Sequence, residues 1–189
     1  MNVILASASP RRKELLKRLY SDFEIVPADI DETLPEDIGA EFAPMFLAAS
    51  KADFVSEKYP EDLIIAADTV VICDGKIYGK PKDEADAKAM LSSLSGKTHK
   101  VITGCCISVG EQTTCFSEES YVTFFDLCEN EIDEYIGTGE AMGKAGAYAI
   151  QGLGALLVEK IDGDYNNIVG LPIAKLKREI RDLLEQIEK

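Results

Sequence analysis

Hydrophobic residues along the chain follow two rhythms, short continuous runs and longer stretches at helical spacing. A run at residues 2–6 leads into Leu15, Leu16 and Leu19, which predicts a strand followed by a helix over 10–19. An extended segment at 23–27 and an acidic turn at 28–33 come next. A helix is expected over 40–58, with Phe42, Phe46, Leu47 and Phe54 on or near one face and Pro44 tolerated only in its first turn. The apolar run 63–67 ends on the carboxylate of Asp68, continues at 70–73 and meets Asp74-Gly75, a hairpin signal. Asp83 reads as the N-cap of a helix over 84–95 that stops at Gly96. Residues 101–109 form a β-rich run turning at Gly110, 119–125 another strand, 129–136 a short helix, and 147–161 strands broken by Gly152 and Gly154. From Ile173 onward, Leu176, Ile180, Leu183 and Ile187 trace an amphipathic terminal helix packed on the sheet. Strands interleaved with helices, together with one hairpin, predict an α/β protein with a mixed sheet.

The first strand-to-helix junction carries Ser7, Ser9, Pro10, Arg11 and Arg12. Ser9 suits the N-cap, and Pro10 suits the first helical position, where no backbone donor is needed. Free N–H groups and the positive dipole end favour an anion at such a junction. Arginines fit that turn poorly on dipole grounds, so they need another reason. Binding phosphate as planar forks is one, and a solvated surface helix is the other.

Composition narrows the classes. At 189 residues the chain is one domain or two closely joined lobes. A net charge of −14 argues against nonspecific binding to nucleic acid or to an anionic membrane. An anionic ligand would then need a local basic pocket, or a metal ion, inside an acidic envelope. No apolar stretch reaches the about 18 residues of a membrane span, and no signal-peptide pattern opens the chain. The five cysteines, Cys73, Cys105, Cys106, Cys115 and Cys128, are odd in number and form no Cys-x-x-Cys pair. They read as reduced, mostly buried cysteines of a cytoplasmic protein, and one histidine makes a zinc site improbable.

Several residues are candidates for chemistry. Asp68, at the end of an apolar strand and followed by Thr69, suits a general base or a metal ligand, and equally a turn-forming aspartate. Asp29, Asp31 and Glu32 offer the hard oxygens that Mg²⁺ uses beside phosphates, although an acidic turn in so acidic a chain is more often just solvated. Gly79-Lys80-Pro81 restricts the backbone around Lys80, and Lys51 lies inside an apolar-faced helix; most lysines are plain surface residues. His99, the only histidine, precedes a strand with no obvious partner and reads as packed or half-exposed. No Gly-x-x-x-x-Gly-Lys-Ser/Thr loop and no Gly-x-Gly-x-x-Gly loop occurs. Gly152 and Gly154 alone read as sheet-bending positions.

Taken together, the motifs resemble the Maf family of nucleoside triphosphate pyrophosphatases over essentially the whole chain. They are Ser-Ala-Ser-Pro-Arg-Arg from Ser7, Ala67-Asp68-Thr69, Gly79-Lys80-Pro81, and Ser-Gly-Lys-Thr-His from Ser95. Lys-Ala-Gly-Ala-Tyr-Ala-Ile-Gln-Gly from Lys144, Ile-Asp-Gly-Asp-Tyr from Ile161, and Gly170-Leu171-Pro172 complete the series. The resemblance implies a hydrolase acting on acid anhydrides, which cuts a nucleoside triphosphate between its α and β phosphates with a divalent cation, Mg²⁺ or Mn²⁺. It implies Asp68 as proton acceptor, Arg11, Thr69 and Gln151 as positions that set base preference, and Arg12, Lys51 and Lys80 at the phosphates. Ser7 and Ser9 belong to the same substrate-binding junction. Glu32 is implied near the metal together with Asp68. The implied fold is a single domain of two lobes with a central cleft around a twisted mixed sheet with flanking helices, similar to inosine triphosphate pyrophosphatases and often a homodimer.

At the three places that separate the branches of this family, the chain has Pro10-Arg11-Arg12, Asp68-Thr69 and Ile150-Gln151-Gly152. It resembles the branch acting on dTTP and UTP rather than the branch acting on methylated GTP, and modified pyrimidine triphosphates are a further substrate option. One departure is Gly143, where that branch usually has an aspartate before Lys144. A non-catalytic nucleotide-binding regulator of septum formation and cell division is the alternative that the same resemblance implies.

Overall fold

The computed structural model describes residues 1–35 and 37–187. Its strands are β1 (Val3–Leu5), β2 (Glu24–Ile25), β3 (Leu63–Cys73), β4 (Lys76–Tyr78), β5 (Thr98–Val109), β6 (Gln112–Phe124) and β7 (Val158–Asp162). Its helices are α1 (Pro10–Leu16), α2 (Ala43–Ser56), α3 (Glu84–Leu94), α4 (Glu129–Gly137), α5 (Tyr165–Val169) and α6 (Ile173–Ile187). The strands form one mixed sheet in the order β2-β1-β3-β5-β6-β7, with β4 on β3. β1 pairs in parallel with β2 and β3, whereas β4 and β7 pair antiparallel with β3 and β6. The expected α/β class with a mixed sheet and flanking helices is therefore what the chain forms.

Two compact units divide the chain. The first takes Met1–Asp68, Thr103–Glu118 and the chain from Gly170. Its core joins Ile4 and Ala6 of the β1 region, Ile64 and Ala66 of β3, Cys106 of β5, and Ala48, Ala52 and Val55 of α2. α2 buries only part of the face expected, Leu47 fully and Phe54 in part. Leu47, Ala48, Ala52 and Val55 are covered, while Phe42 and Phe46 stay exposed. Small side chains win this face because the helix lies close to the sheet. A Cβ on Gly104 of β5 would run into the backbone at Pro44 and Met45, so only glycine admits the first turn of α2 there. Pro44 sits in that turn, where its missing donor costs nothing. Lys51 occupies the buried stripe, one turn from both Leu47 and Val55. On α6, Leu176, Ile180 and Leu183 are buried, and Lys175 Nζ ties the helix to β6 at the Ser117 carbonyl, 2.8 Å, and Glu118, 3.0 Å.

The second unit takes Thr69–Ile102 and Glu119–Val169. α3 opens on Asp83, whose carboxylate accepts the Asp86 N–H at 2.8 Å, and it packs against α4. His99, Phe124 and Tyr148 meet edge to face, with ring centres 4.8–5.4 Å apart. Asn167 of α5 is fully buried and donates to the Val101 carbonyl, 3.1 Å, and Ser120 Oγ, 2.9 Å.

Four expectations change. β3 does not end at Asp68 but runs through it to Cys73, because the interior of the sheet keeps the backbone extended past the polar pair. Residues 147–157 are turns and a short 3₁₀ helix (Leu153–Leu157) rather than strand, and only Val158–Asp162 pairs with β6; Gly146 and Ala147 take positive φ, which a strand cannot hold. α5, between two glycines of positive φ, had no periodic signal. Finally, the cysteines are not all reduced: Cys106 and Cys115 form a disulfide across the β5–β6 hairpin, with Cα atoms 4.2 Å apart. The two stand at equal distances from the turn, in directly opposed positions of the ladder, a relation that exists only once the register is set. Cys73 and Cys105 are free and buried, and Cys128 is free and exposed. Among the described residues no helix is long and apolar enough to cross a membrane.

Candidate functional site

Asp68 stands in the only polar break of a strand that is otherwise buried along its length; Asp68 and its neighbour Thr69 are the two half-open positions of β3. The pairing of β3 with β1 ends at Leu5↔Ile65, so Asp68 lies beyond the reach of that ladder. In the first unit its Oδ1 accepts from Lys51 Nζ at 2.7 Å, and Glu32 Oε1 meets the same ammonium at 2.6 Å. The Lys51 side chain is 10% exposed and that of Asp68 16%, whereas Glu32 keeps 54% of its surface in water. A buried ammonium needs paired acceptors, and these two carboxylates supply them. The acidic turn thus splits. Glu32 joins Lys51, Asp29 is exposed, and Asp31 turns back to accept Thr33 N at 2.9 Å and Thr33 Oγ1 at 2.6 Å. Those two bonds hold the Asp31 carboxyl below the usual carboxylate range.

The opening junction is built as its sequence suggests. Ser9 caps α1, its Oγ accepting from Arg12 N at 3.4 Å. Ser7 is buried, and its Oγ accepts from Ser9 N at 3.3 Å and from Arg12 Nη1 at 3.2 Å. Arg12 Nε donates to the Gly170 carbonyl at 2.9 Å. The guanidinium is therefore aimed by the Gly170-Leu171-Pro172 segment, a role that local pattern does not reveal because 158 residues separate the partners. Burial lowers the Arg12 pKa, and the negative charges of Asp68 and Glu32 push it back up. Arg11 is lowered by burial and then by Arg12. Burial pushes the Cys105 thiol up to about 12, so it stays protonated near neutral pH. Arg12, Lys51, Asp68 and Glu32 thus share one electrostatic neighbourhood in the first unit. Arg11 flanks it.

Thr69, Lys80 and Gln151 belong to the second unit. Lys80 is exposed, directly after Gly79. The Gly79 carbonyl accepts from Gly146 N at 3.1 Å, which joins the turn carrying Lys80 to the segment leading to Gln151. Gln151 is exposed, between buried Ile150 and Gly152. Its segment is held by a group that had no role in the sequence reading. Glu140 accepts from Leu153 N at 3.1 Å, Gly154 N at 2.8 Å and Tyr135 Oη at 2.9 Å, and Tyr135 Oη in turn accepts from Ala149 N at 3.1 Å. A buried polar residue in the short α4 followed by an acid five positions on was the only sequence signal for this network. His99 is 1% exposed, and its Nε2 lies 2.9 Å from Tyr148 Oη; burial pulls its pKa down to about 4.

The family described as Maf-like protein matches residues 2–183. A protein of Bacillus cytotoxicus named dTTP/UTP pyrophosphatase is 51% identical over 182 residues, 94% of this chain and 93% of its own. One of the same name from Bacillus mycoides is 49% identical over 183 residues, 95% of this chain and 94% of its own. Among solved structures, a HAM1 protein from Coxiella burnetii aligns with a TM-score of 0.49 at 14% identity, over 66% of this chain and 73% of that one, a partial likeness on which no conclusion rests. The motifs from Ser7 to Pro172 all lie within a match that spans nearly every residue, and the chain belongs to the Maf family.

Proposed function

We propose that this protein hydrolyses dTTP and UTP to the nucleoside monophosphate and pyrophosphate. The reading is carried by Asp68, set in the polar break of a buried strand and gripped by Lys51, in a chain about half identical to proteins named for that reaction. Attack of water on a phosphorus of a polyanionic triphosphate builds charge on the non-bridging and leaving oxygens. Arg12, already oriented by Gly170 and Ser7, presents a planar fork to such oxygens, and Lys51 and Lys80 add point charges. Asp68 takes the proton from water through Oδ2, the oxygen that Lys51 does not hold. Arg11, Thr69 and Gln151 set the preference for the base, and Ser7 and Ser9 shape the phosphate-side junction.

The chemistry of Glu32 and Asp68 fits a divalent cation such as Mg²⁺ or Mn²⁺. Both are carboxylates, and Lys51 gathers them to one point. Among the described residues no three His, Cys, Asp or Glu side chains cluster, so these two would hold the ion with the remaining ligands drawn from phosphates and water. The ion would neutralise phosphate charge when bound.

The test is direct. Purified protein with dTTP or UTP and Mg²⁺ should release pyrophosphate, and Asp68→Asn should lower kcat by about 10²- to 10⁴-fold, the usual contribution of a positioned base. Absence of pyrophosphate release from the unmodified protein would sink the reading and favour a nucleotide-binding regulator. Near-normal turnover in Asp68→Asn would remove Asp68 from the role of base.

A further inference from the structure

We propose that Glu140 is the positioning residue of the base-selecting segment, fixing the backbone on both sides of Gln151 without touching substrate. The inference rests on the reading of Gln151 above and adds a residue to it. Three donors converge on one carboxylate: Leu153 N and Gly154 N from just beyond Gln151, and Tyr135 Oη from α4. Through the same hydroxyl the network reaches Ala149 N, two residues before Gln151. Gln151 is thus bracketed by backbone amides tied to Glu140 directly on one side and through Tyr135 on the other, while its own side chain is exposed.

The surroundings are shaped to admit that carboxylate. A Cβ on Gly152 would collide with Glu140, and one on Gly154 would lie 2.7 Å from the Ala149 carbonyl and 3.0 Å from Tyr135 Oη. The two glycines that read as sheet-bending positions are therefore the space through which the acid reaches the backbone. Glu140 is half-buried, which by itself raises its pKa; the bonds from Gly154, Tyr135 and Leu153 and the charge of Lys144 outweigh this and hold it below the usual value. A segment of turns lacks a ladder of its own, and an ionised acceptor of several N–H groups replaces one. Selecting one base over another needs hydrogen-bonding groups held in place, since a loosely held amide re-forms bonds to the wrong base.

The experiment compares Glu140→Ala, Glu140→Gln, Tyr135→Phe and Gln151→Ala with the unmodified protein. It reads Kd, KM and kcat for dTTP and dCTP, together with amide hydrogen exchange at Leu153 and Gly154. Glu140→Ala should raise KM for dTTP about tenfold with kcat within about threefold, lower the preference for dTTP over dCTP, and speed exchange at both amides. Glu140→Gln keeps one carbonyl oxygen for Gly154 N and Tyr135 Oη, so it should fall between. Tyr135→Phe frees Ala149 N and removes one of the three donors to Glu140 while leaving Leu153 N and Gly154 N bound, and it covers the case in which Glu140→Ala does not fold. If Gln151→Ala alters base preference while the Glu140 and Tyr135 variants leave it unchanged, the positioning role is overturned and the reading of Gln151 stands. If the Glu140 variants shift preference and Gln151→Ala does not, the positioning role stands, and the backbone of the segment, not the Gln151 side chain, reads the base. If no variant moves it, both fall.

Discussion

Two acidic sites, one in each unit of the chain, use their carboxylates in opposite ways. In the first, Asp68 and Glu32 face another side chain, Lys51, and the pairing keeps three charged groups at one point. In the second, Glu140 faces backbone amides and a tyrosine, and its charge is spent on holding a segment of turns. A charge paired with a charge can be re-paired when a ligand arrives. One that caps three donors cannot leave without unfastening the segment. The difference separates carboxylates that a ligand can re-pair from one that holds shape, although both kinds are carboxylates of similar ordinary pKa.

That contrast is open to attack from the first unit downward. The largest effect is expected at Lys51. Lys51→Met would leave Asp68, 16% exposed, and Glu32 without their shared cation, costing about 3 kcal/mol of stability by the measure of a broken buried pair. Urea unfolding reads this loss, and kcat on dTTP should fall by at least about tenfold in the same variant. A stable, fully active Lys51→Met would show that the pairing is incidental.

A second probe, in the other unit, is His99, whose pKa of about 4 lies below its ordinary 6.5. The unfolded chain therefore binds the proton more readily, and the folded state loses stability as pH falls from 6.5 to 4. About 3 kcal/mol should go over that window. His99→Gln, which retains a polar contact toward Tyr148, should lose less between pH 7 and pH 4.5 in thermal or urea unfolding. Equal losses in the two proteins would mean that His99 does not charge on unfolding.

The smallest effect is expected at Asn167, fully buried with two donated bonds. Asn167→Ala removes the buried donor to the Val101 carbonyl and to Ser120 Oγ and should cost about 2 kcal/mol. The midpoint should shift with the base preference unchanged. A change in base preference would make the second unit's interior part of its selectivity.

Much was legible in the chain because it depended on neighbours in sequence. Ser9 and Asp83 cap their helices, Asp74-Gly75 turns a hairpin, and α6 buries Leu176, Ile180 and Leu183 of the stripe its spacing announced while Ile187 stays exposed. The candidate residues of the first unit were also readable, since Ser-Pro-Arg-Arg and Ala-Asp-Thr sit in short local motifs. Less legible was the face of α2. Periodicity pointed to the phenylalanines, but the close approach at Gly104 selected the alanines. Nor did spacing reveal the Cys106–Cys115 disulfide, which needs the hairpin register, or the turns and 3₁₀ helix at 147–157, whose apolar content resembles a strand.

The sequence by itself determined the rhythm of elements, the family, and the residue types available for phosphate chemistry. Each of these is written in local order and spacing. Tertiary structure alone decided which acids pair with Lys51, what aims Arg12 and what holds Gln151, because their partners lie 17 to 158 residues apart or in turns without a period. Burial then fixed how each group is used, by making an unpaired charge or amide too costly to leave in place.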